Sequence, residues 1–321
     1  MLPKDGLAWH IRDCWFTKPR DRGITSIGKG CNGMSLHDNE FLSNEYNTLV
    51  QYRKTIAFNT NSNDIKIRNN RAVRFLHFGV LNGGGHITSG NHFWQGDSSV
   101  DGERSAGIVL TQKSCKTTIS ANYIDNAWIE LNNEHDVKSN ADASTRPFGT
   151  LSLTCNIFTA RDATVWFTYI HLAPFGNNHT IDGISVVGNT FKTIGSGAID
   201  RVEGLVTSAG SFDHSVTKAV TFVANSFDEL VERTESPAVV RVSQAGASTN
   251  WTVDLSAKLP FGGQALGVDA VMPQGVILNS SGASQFVTPT AQLAGNSNVS
   301  IKWPVAVSGA IHMIARVDLP S

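Results

Sequence analysis

Cysteine is scarce in this sequence: four residues in 321, at Cys14, Cys31, Cys115 and Cys155, with no C-x-x-C pair among them. That spacing argues against a zinc module. A chain of this length needs no disulfide framework, so the expectation is buried free thiols, packing as small hydrophobes. Charge of one sign is also missing: 26 Lys and Arg against 27 Asp and Glu leave a formal net charge of −1. A nucleic-acid partner would favour a clustered basic face, so none is expected. No uninterrupted apolar run is long enough to span a bilayer, so no membrane segment is expected. The opening residues Met1 to Gly6 carry no apolar signal-peptide core. The chain begins almost inside its first repeat, as expected of a domain from a longer protein or of a chain docked on a partner at this end.

Methionine is equally rare, at 4, whereas there are 29 glycines, and 40% of the residues are hydrophobic. That is enough for a large core and allows one to three domains. Short segments rich in Val, Ile, Thr and Phe, broken by Asn, Gly, Ser and Asp, predict an all-β chain with many turns.

An internal repeat settles the architecture. An apolar residue, two residues, Asn, any residue and a second apolar residue recur at Leu36–Asn39–Phe41, Ile119–Asn122–Ile124, Leu153–Asn156–Phe158, Val186–Asn189–Phe191 and Phe222–Asn225–Phe227. Looser copies are Ile11–Cys14–Phe16, Ile67–Asn70–Ala72 and Thr88–Asn91–Phe93. The anchors 14, 39, 70, 91, 122, 156, 189 and 225 are separated by 25, 31, 21, 31, 34, 33 and 36 residues. Leucine-rich repeats need denser Leu, and propeller blades need longer, steadier periods. One coil of a right-handed single-stranded parallel β-helix per interval fits. Alternation sends the first apolar residue inward and Asn to a corner, where it tolerates left-handed backbone and bonds locally. Coils about 4.8 Å apart would set the Asn side chains in a ladder and give a column about 40 Å long. The residue before the anchor is small from the fourth copy on (Gly90, Ala121, Cys155, Gly188, Ala224), as a narrowing interior would ask. Asp13, Asp38 and Asn69 break that rule. The competing architecture is a β-sandwich with chance Asn-x-Phe matches.

After about residue 245 the repeat stops. The alternating run Val299, Ile301, Trp303, Val305, Val307 and then Ile311, Met313, Ala315, Val317, Leu319 reads as antiparallel strands with one buried face. The expected division is therefore a β-helix over 1–245 and a small β-rich domain over 246–321. The second part either caps the open end of the solenoid or forms a homotrimer interface.

The anchor pattern resembles the pectate-lyase-like superfamily of right-handed β-helices over roughly residues 7–240. Its members include polysaccharide lyases, glycoside hydrolases and bacteriophage tailspikes. Gly90 to Asp97, Ala106 to Leu110, Tyr123 to Asn126 and Asn133 to Asp136 look like pectate-lyase-like proteins of marine and photosynthetic alphaproteobacteria and of their phages or phage-like particles. The resemblance implies a tail-fibre or head-spike role in gripping surface polysaccharide, hence an extracellular or particle-associated protein attached at its N-terminal end. The Asp-Asp and Gly-His-Gly signatures of polygalacturonases and the Arg-x-Pro-x-x-Arg of calcium-dependent pectate lyases are absent, so no catalytic set carries over.

Residues three to fourteen positions past each anchor are polar and aromatic. They include Trp94, Asp97, Arg104, Trp128, Glu130, Glu134, Asp136, Arg161 and Trp166. Stacked coils would align them into a groove. Aromatic rings offer apolar faces to sugar C–H surfaces, while carboxylates and Arg bond hydroxyls or acidic groups. Trp94, Arg104, Trp128, Asp136, Arg161 and Trp166 are thus expected to bind substrate, although the tryptophans are as well explained by core packing. Asp97, Glu130 and Glu134 are the catalytic candidates. A retaining glycosidase pair needs carboxyls about 5–5.5 Å apart and an inverting pair about 6.5–9.5 Å. Solvated carboxylates, or ion pairs with Arg104 and Arg161, are the plainer account. Glu134-His135-Asp136 lacks a second histidine at ligand spacing, although His171 and His179 could approach from the next coil; no metal or cofactor is expected. Asn82 to Gly85 and Gly195 to Gly197 are glycine-rich without a strand–loop–helix context, and read as turns.

Three functions compete: a polysaccharide-binding spike, a lyase or hydrolase built on a carboxylate pair, and a purely structural element of a particle. Fold alone does not separate them.

Overall fold

The structure, a computed structural model, describes residues 9–26, 31–43, 55–96, 104–133, 147–195, 197–228, 230, 232–295 and 297–319. They fall into two compact units. The first spans 1–180, 184–212 and 224–231; the second spans 181–183, 213–223 and 232–321.

The first unit is a parallel β-helix, right-handed as crossovers between parallel strands are. Each of the first seven coils gives one strand to each of three sheets, and the eighth adds one to the first two. The first sheet begins with His10–Arg12, Ser35–His37 and Lys66–Arg68. The second begins with Trp15–Thr17, Glu40–Leu42 and Arg71–Val73. The third begins with Arg22–Thr25, Ile56–Thr60 and His77–Leu81. Pairing is in register at the repeat: Ile11, Leu36, Ile67, Thr88 and Ile119 sit side by side, as do Phe41, Ala72, Phe93, Ile124, Phe158 and Phe191. The sandwich alternative is excluded by this parallel pairing.

The anchors form a hydrogen-bonded ladder. Asn39, Asn70, Asn91, Asn122, Asn156 and Asn189 each donate from Nδ2 to the Oδ1 of the next anchor, at 2.9–3.1 Å, ending on Asn225. Each accepting Oδ1 also takes the backbone N–H of the previous anchor, and Cys14, which has no amide, uses its N–H alone (3.1 Å to Asn39). A buried polar group is tolerated only when bonded, and here every rung satisfies its neighbour.

The corner chemistry differs from the sequence expectation in one respect. Asn is buried and does not take the left-handed backbone; the residue before it does. Asp13, Asp38, Asn69, Gly90, Ala121, Cys155, Gly188 and Ala224 have φ between 54° and 67° and are exposed. Small or Asx residues stand there because an L side chain pays for left-handed φ, not because the interior narrows. Asp13, Asp38 and Asn69 therefore obey the rule they seemed to break. The same geometry exposes Cys155, contrary to the buried-thiol expectation; Cys14 is half-buried, and only Cys31 and Cys115 are buried. Burial pushes the Cys115 thiol up to about 11. A second left-handed column, unforeseen in the sequence, lies six residues before the anchors: Gly33, Asp64, Gly85, Lys116, Thr150, Gly183 and Ala219, with φ from 45° to 81°.

Stacked phenylalanines fill the interior: Phe16 on Phe41 at 4.7 Å, Phe158 on Phe191 at 5.0 Å and Phe191 on Phe227 at 5.9 Å. Where Ala72 interrupts the column, Phe75 and Phe78 of the same coil reach Phe41 edge-on.

In the second unit, Asn298–Arg316 pairs antiparallel with Ala238–Asp254, Gly267–Pro273, Ile277–Asn279 and Thr290–Leu293. The expected alternation holds, with Val299, Ile301, Trp303, Val307, Ile311, Met313, Ala315 and Val317 buried. Val305 turns outward because pairing with Ala238–Asp254 shifts register between the Asn250–Lys302 and Gln244–Gly309 contacts. Strand Lys218–Val223 bonds within this unit: Ala219 N–H to Leu319 O, Val220 N–H to Val317 O, and Phe222 reciprocally with Ser236.

Candidate carbohydrate face

The candidate site occupies the exposed faces of the second and third sheets. On the second sheet, the residues one and three positions past the anchors alternate with the inward one, although Val73 and Thr159 are covered, which places Trp94 beside Asp125 and His92 beside Tyr123 in adjacent coils. The His92 and Tyr123 rings meet edge-on at 4.8 Å. Tyr123 OH donates to Asp125 Oδ2 (3.2 Å) and accepts from Thr159 Oγ1 (3.3 Å). Burial lifts the Asp125 carboxyl above the usual carboxylate range, opposed by hydrogen bonds from Thr159 and Tyr123 and by the charges of His92 and Arg104. The Arg74 guanidinium lies 5.1 Å from the Trp94 ring centroid, a cation–π contact.

On the third sheet, strand Trp128–Asn132 alternates outward Trp128, Glu130 and Asn132 with inward Ile129 and Leu131. Two neutral donors hold the Glu130 carboxylate: Trp128 Nε1 at 3.2 Å and Asn132 Nδ2 at 2.9 Å. Among the described residues Glu130 makes no ion pair. Its register partner in the next strand is His171, whose ring stacks on Trp128 at 4.6 Å. Burial pushes His171 down to about 4, against the pull of Glu130, so it stays neutral at pH 7. Phe167 packs edge-on to Trp128 (6.0 Å) and to Trp166 (5.8 Å), and the Arg104 guanidinium lies 5.1 Å from its ring. Arg104 therefore touches the Trp128 cluster while its charge acts on Asp125.

The structure thus brings together Trp94 with Asp125, and Arg104, Trp128, Glu130 and Trp166 through Phe167. Trp94 and Trp128 are half-buried and Trp166 is 59% exposed, so none is a fully buried core residue. Arg161 ends the second-sheet strand Ile157–Arg161, exposed, 3.6 Å from Asp162. Asp97, Glu134 and Asp136 lie outside the described residues, as does His135. His179 does not join this face: it is buried, with Nε2 2.8 Å from Phe175 O. Among the described residues no group of three or more His, Cys, Asp or Glu could hold a metal. No helix is long and apolar enough to cross a membrane.

Sequence reasoning raised His171 only as a metal ligand that could approach from the next coil, and it passed over Tyr123 and Asn132 as site residues. Tyr123 was accessible from the anchor, since the residue directly after the anchor is never buried, whereas the third one past it is buried at Val73 and Thr159. His171 was not, because it lies 15 residues past its anchor whereas its partner Glu130 lies 8 past its own. Unequal loops between the second and third sheets break any fixed offset.

No protein-family model matches the chain. No curated protein matches it either. Solved structures similar to it are phage tailspikes. One is the tailspike gp61 of Pseudomonas phage phi297, 13% identical, with a TM-score of 0.35 over 98% of this chain and 61% of that one. A second is the tailspike of E. coli bacteriophage HK620 in complex with a pentasaccharide, 8% identical, with a TM-score of 0.37 over 97% and 69%. A third is the gp54 tailspike of Acinetobacter baumannii bacteriophage AP22 in complex with A. baumannii capsular saccharide, 12% identical, with a TM-score of 0.25 over 93% and 65%. The chain thus spans about three fifths of the phi297 protein. Likeness this distant says nothing about the site, and the β-helix stands on its own strand pairings.

Proposed function

We propose that this chain is the polysaccharide-recognising β-helix of a phage-like tail fibre or spike, gripping a cell-surface glycan along the joined faces of the second and third sheets. One observation carries the reading: Trp128, stacked on a neutral His171, stands next to a Glu130 carboxylate held by uncharged donors. A flat apolar ring beside a fixed acceptor is what a sugar ring with equatorial hydroxyls requires. Arg161 and Trp166 would stand at its margin.

Asp125 supports a second reading. A carboxyl lifted by burial is suited to act as a general acid, and Glu130, with Asp97 or Glu134, would supply the base or nucleophile of a depolymerase. One experiment addresses both. Surface polysaccharides of candidate host cells are incubated with the protein, and both binding and released reducing or unsaturated ends are measured. Binding should weaken about tenfold or more in Trp128→Ala, as for a central aromatic anchor. Products that disappear in Glu130→Gln would move the function to the depolymerase, and binding without products keeps the spike. Absence of binding to every polysaccharide tried counts against both.

The division of roles we infer is a gripping part over 1–245 and a capping or oligomerising part over 246–321, with particle attachment at the N-terminal end. Self-association is supported by apolar residues on the antiparallel unit: Phe286 is fully exposed, Val276 is 62% and Met272 48% exposed. Phe286, Val276, Val271 and Pro273 share a 400 Å³ groove. Sedimentation should show a trimer that falls to monomer in Phe286→Asp; a monomeric parent protein leaves capping as the role.

A further inference from the structure

We propose a second carbohydrate subsite, a polar notch formed by residues 63–64, 84–85 and 112–116, that takes one hydroxyl-rich pyranose unit. Three consecutive coils build it. Asp64, Gly85 and Lys116 occupy the same left-handed corner, six residues before the anchors Asn70, Asn91 and Asn122. Asp64 N–H bonds Gly84 O (3.0 Å) and Gly85 N–H bonds Lys116 O (3.0 Å), so the three corners lie one above another. The middle corner has no side chain. An added Cβ at Gly85 would collide with the Asp64 carboxylate, which lies across the bare glycine, and one at Gly84 would stand 3.0 Å from Cys115 O. The bare middle corner thus gives its side-chain space to the Asp64 carboxylate, with Lys116 one coil further on.

The resulting pocket has a volume of 540 Å³, inside the range of about 300–1,000 Å³ usual for small-molecule sites. Its lining is Asn63, Asp64, Gln112, Ser114, Lys116 and glycine backbone, with no aromatic or aliphatic side chain. Some of that polarity is already committed: Asn63 Oδ1 accepts from Gly84 N–H (3.0 Å), Gln112 Nε2 donates to Asn82 (3.1 Å), and Ser114 bonds Thr150 (3.1 Å). The Asp64 carboxylate, the Lys116 ammonium and Gln112 Oε1 remain for a ligand. Among the described residues neither Asp64 nor Lys116 makes an ion pair. One acid and one base cancel, so the notch selects neither a free cation nor a free anion. A hydroxyl group donates to Asp64 and Gln112 and accepts from Lys116, and an array of them spaced around a ring meets all three. The notch lies beside the first sheet's entry corner, away from Trp128 in the chain's winding, so it would bind a different residue of the glycan.

The ligand class rests on the polysaccharide reading, and the test separates the two. Saturation-transfer NMR is recorded at millimolar concentrations of neutral hexoses, hexuronates and N-acetylhexosamines. In a Trp128→Ala background, which removes the first face, transfer is expected to at least one, with apparent affinity about tenfold weaker once Asp64→Asn and Lys116→Ala are added. Both added substitutions fall on exposed side chains, and Lys116→Ala alone serves if the pair misfolds. Transfer that persists undiminished once the pair is added, or is absent for the whole panel, overturns the notch. Transfer already lost in Trp128→Ala alone overturns it while upholding the first face, and a polysaccharide bound equally by Trp128→Ala and the parent strikes the first face instead.

Discussion

Replacing Asn122 by Ala is expected to lower the free energy of unfolding by about 4 kcal/mol, far more than a typical polar substitution. Asn122 Oδ1 accepts from both the backbone N–H (3.0 Å) and Nδ2 (2.9 Å) of Asn91, which is only 2% exposed. Without it two buried donors lose their acceptor, and each unsatisfied buried group costs about 1–3 kcal/mol. Asn156 Oδ1 loses one of its donors as well. The end of the ladder provides the control. Asn39 Oδ1 accepts only the backbone N–H of half-buried Cys14, so Asn39→Ala should cost less than half as much. Asn122→Asp should cost at least as much as Ala. Its carboxylate could still accept from Asn91, but it would face Asn156 Oδ1 and the carbonyls of Thr88 and Ser120 with no proton to offer. Denaturant unfolding of the three variants checks this; equal losses at positions 39 and 122 would mean that the rungs do not act as a chain.

Acid should destabilise the protein between pH 6.5 and 4, before its carboxylates titrate. His86, 1% exposed, and His171, 9% exposed, are both pushed down to about 4, chiefly by burial. In the unfolded chain each takes up a proton near pH 6.5. Between 6.5 and 4 the unfolded state therefore binds more protons, and stability falls as pH falls; below 4 these two groups add no further loss. Each contributes on the order of 3 kcal/mol across the window. Asp125, lifted by burial, acts weakly in the opposite sense over its own interval. Carboxyls held low, such as Asp318 beside Arg316, release stability only below their unfolded value of about 3.9. Urea midpoints at pH 7, 5.5 and 4 should drop steadily, and His86→Gln or His171→Gln should each remove a clear part of the slope, the rest coming from His92, His179 and His214, which burial also lowers. A slope that neither substitution changes would place the acid sensitivity elsewhere.

Much of this molecule is legible in its sequence because one local rule is repeated. An inward apolar residue, an exposed left-handed residue, a buried Asn and a second inward apolar residue have to recur together, so that seven asparagines mark the coils without reference to any long-range contact. The alternation from Val299 to Val317 gave away the antiparallel strands for the same reason, since period two is a property of the strand itself. The second left-handed column was harder to see. Gly33, Gly85 and Gly183 advertise it, whereas Lys116, Thr150 and Ala219 do not, because there the stacked coil imposes the backbone on a residue that would not choose it.

Coil count, ladder and the faces of the first two sheets follow from local sequence alone, since those are set within about ten residues of each anchor. Only the tertiary structure decided that Glu130 meets His171, that Arg104 rests on Phe167, and that Gly85 opens a notch between Asp64 and Lys116. Those meetings depend on loops of unequal length and on neighbours roughly 20 to 65 residues away, and stacking, not spacing, selects them.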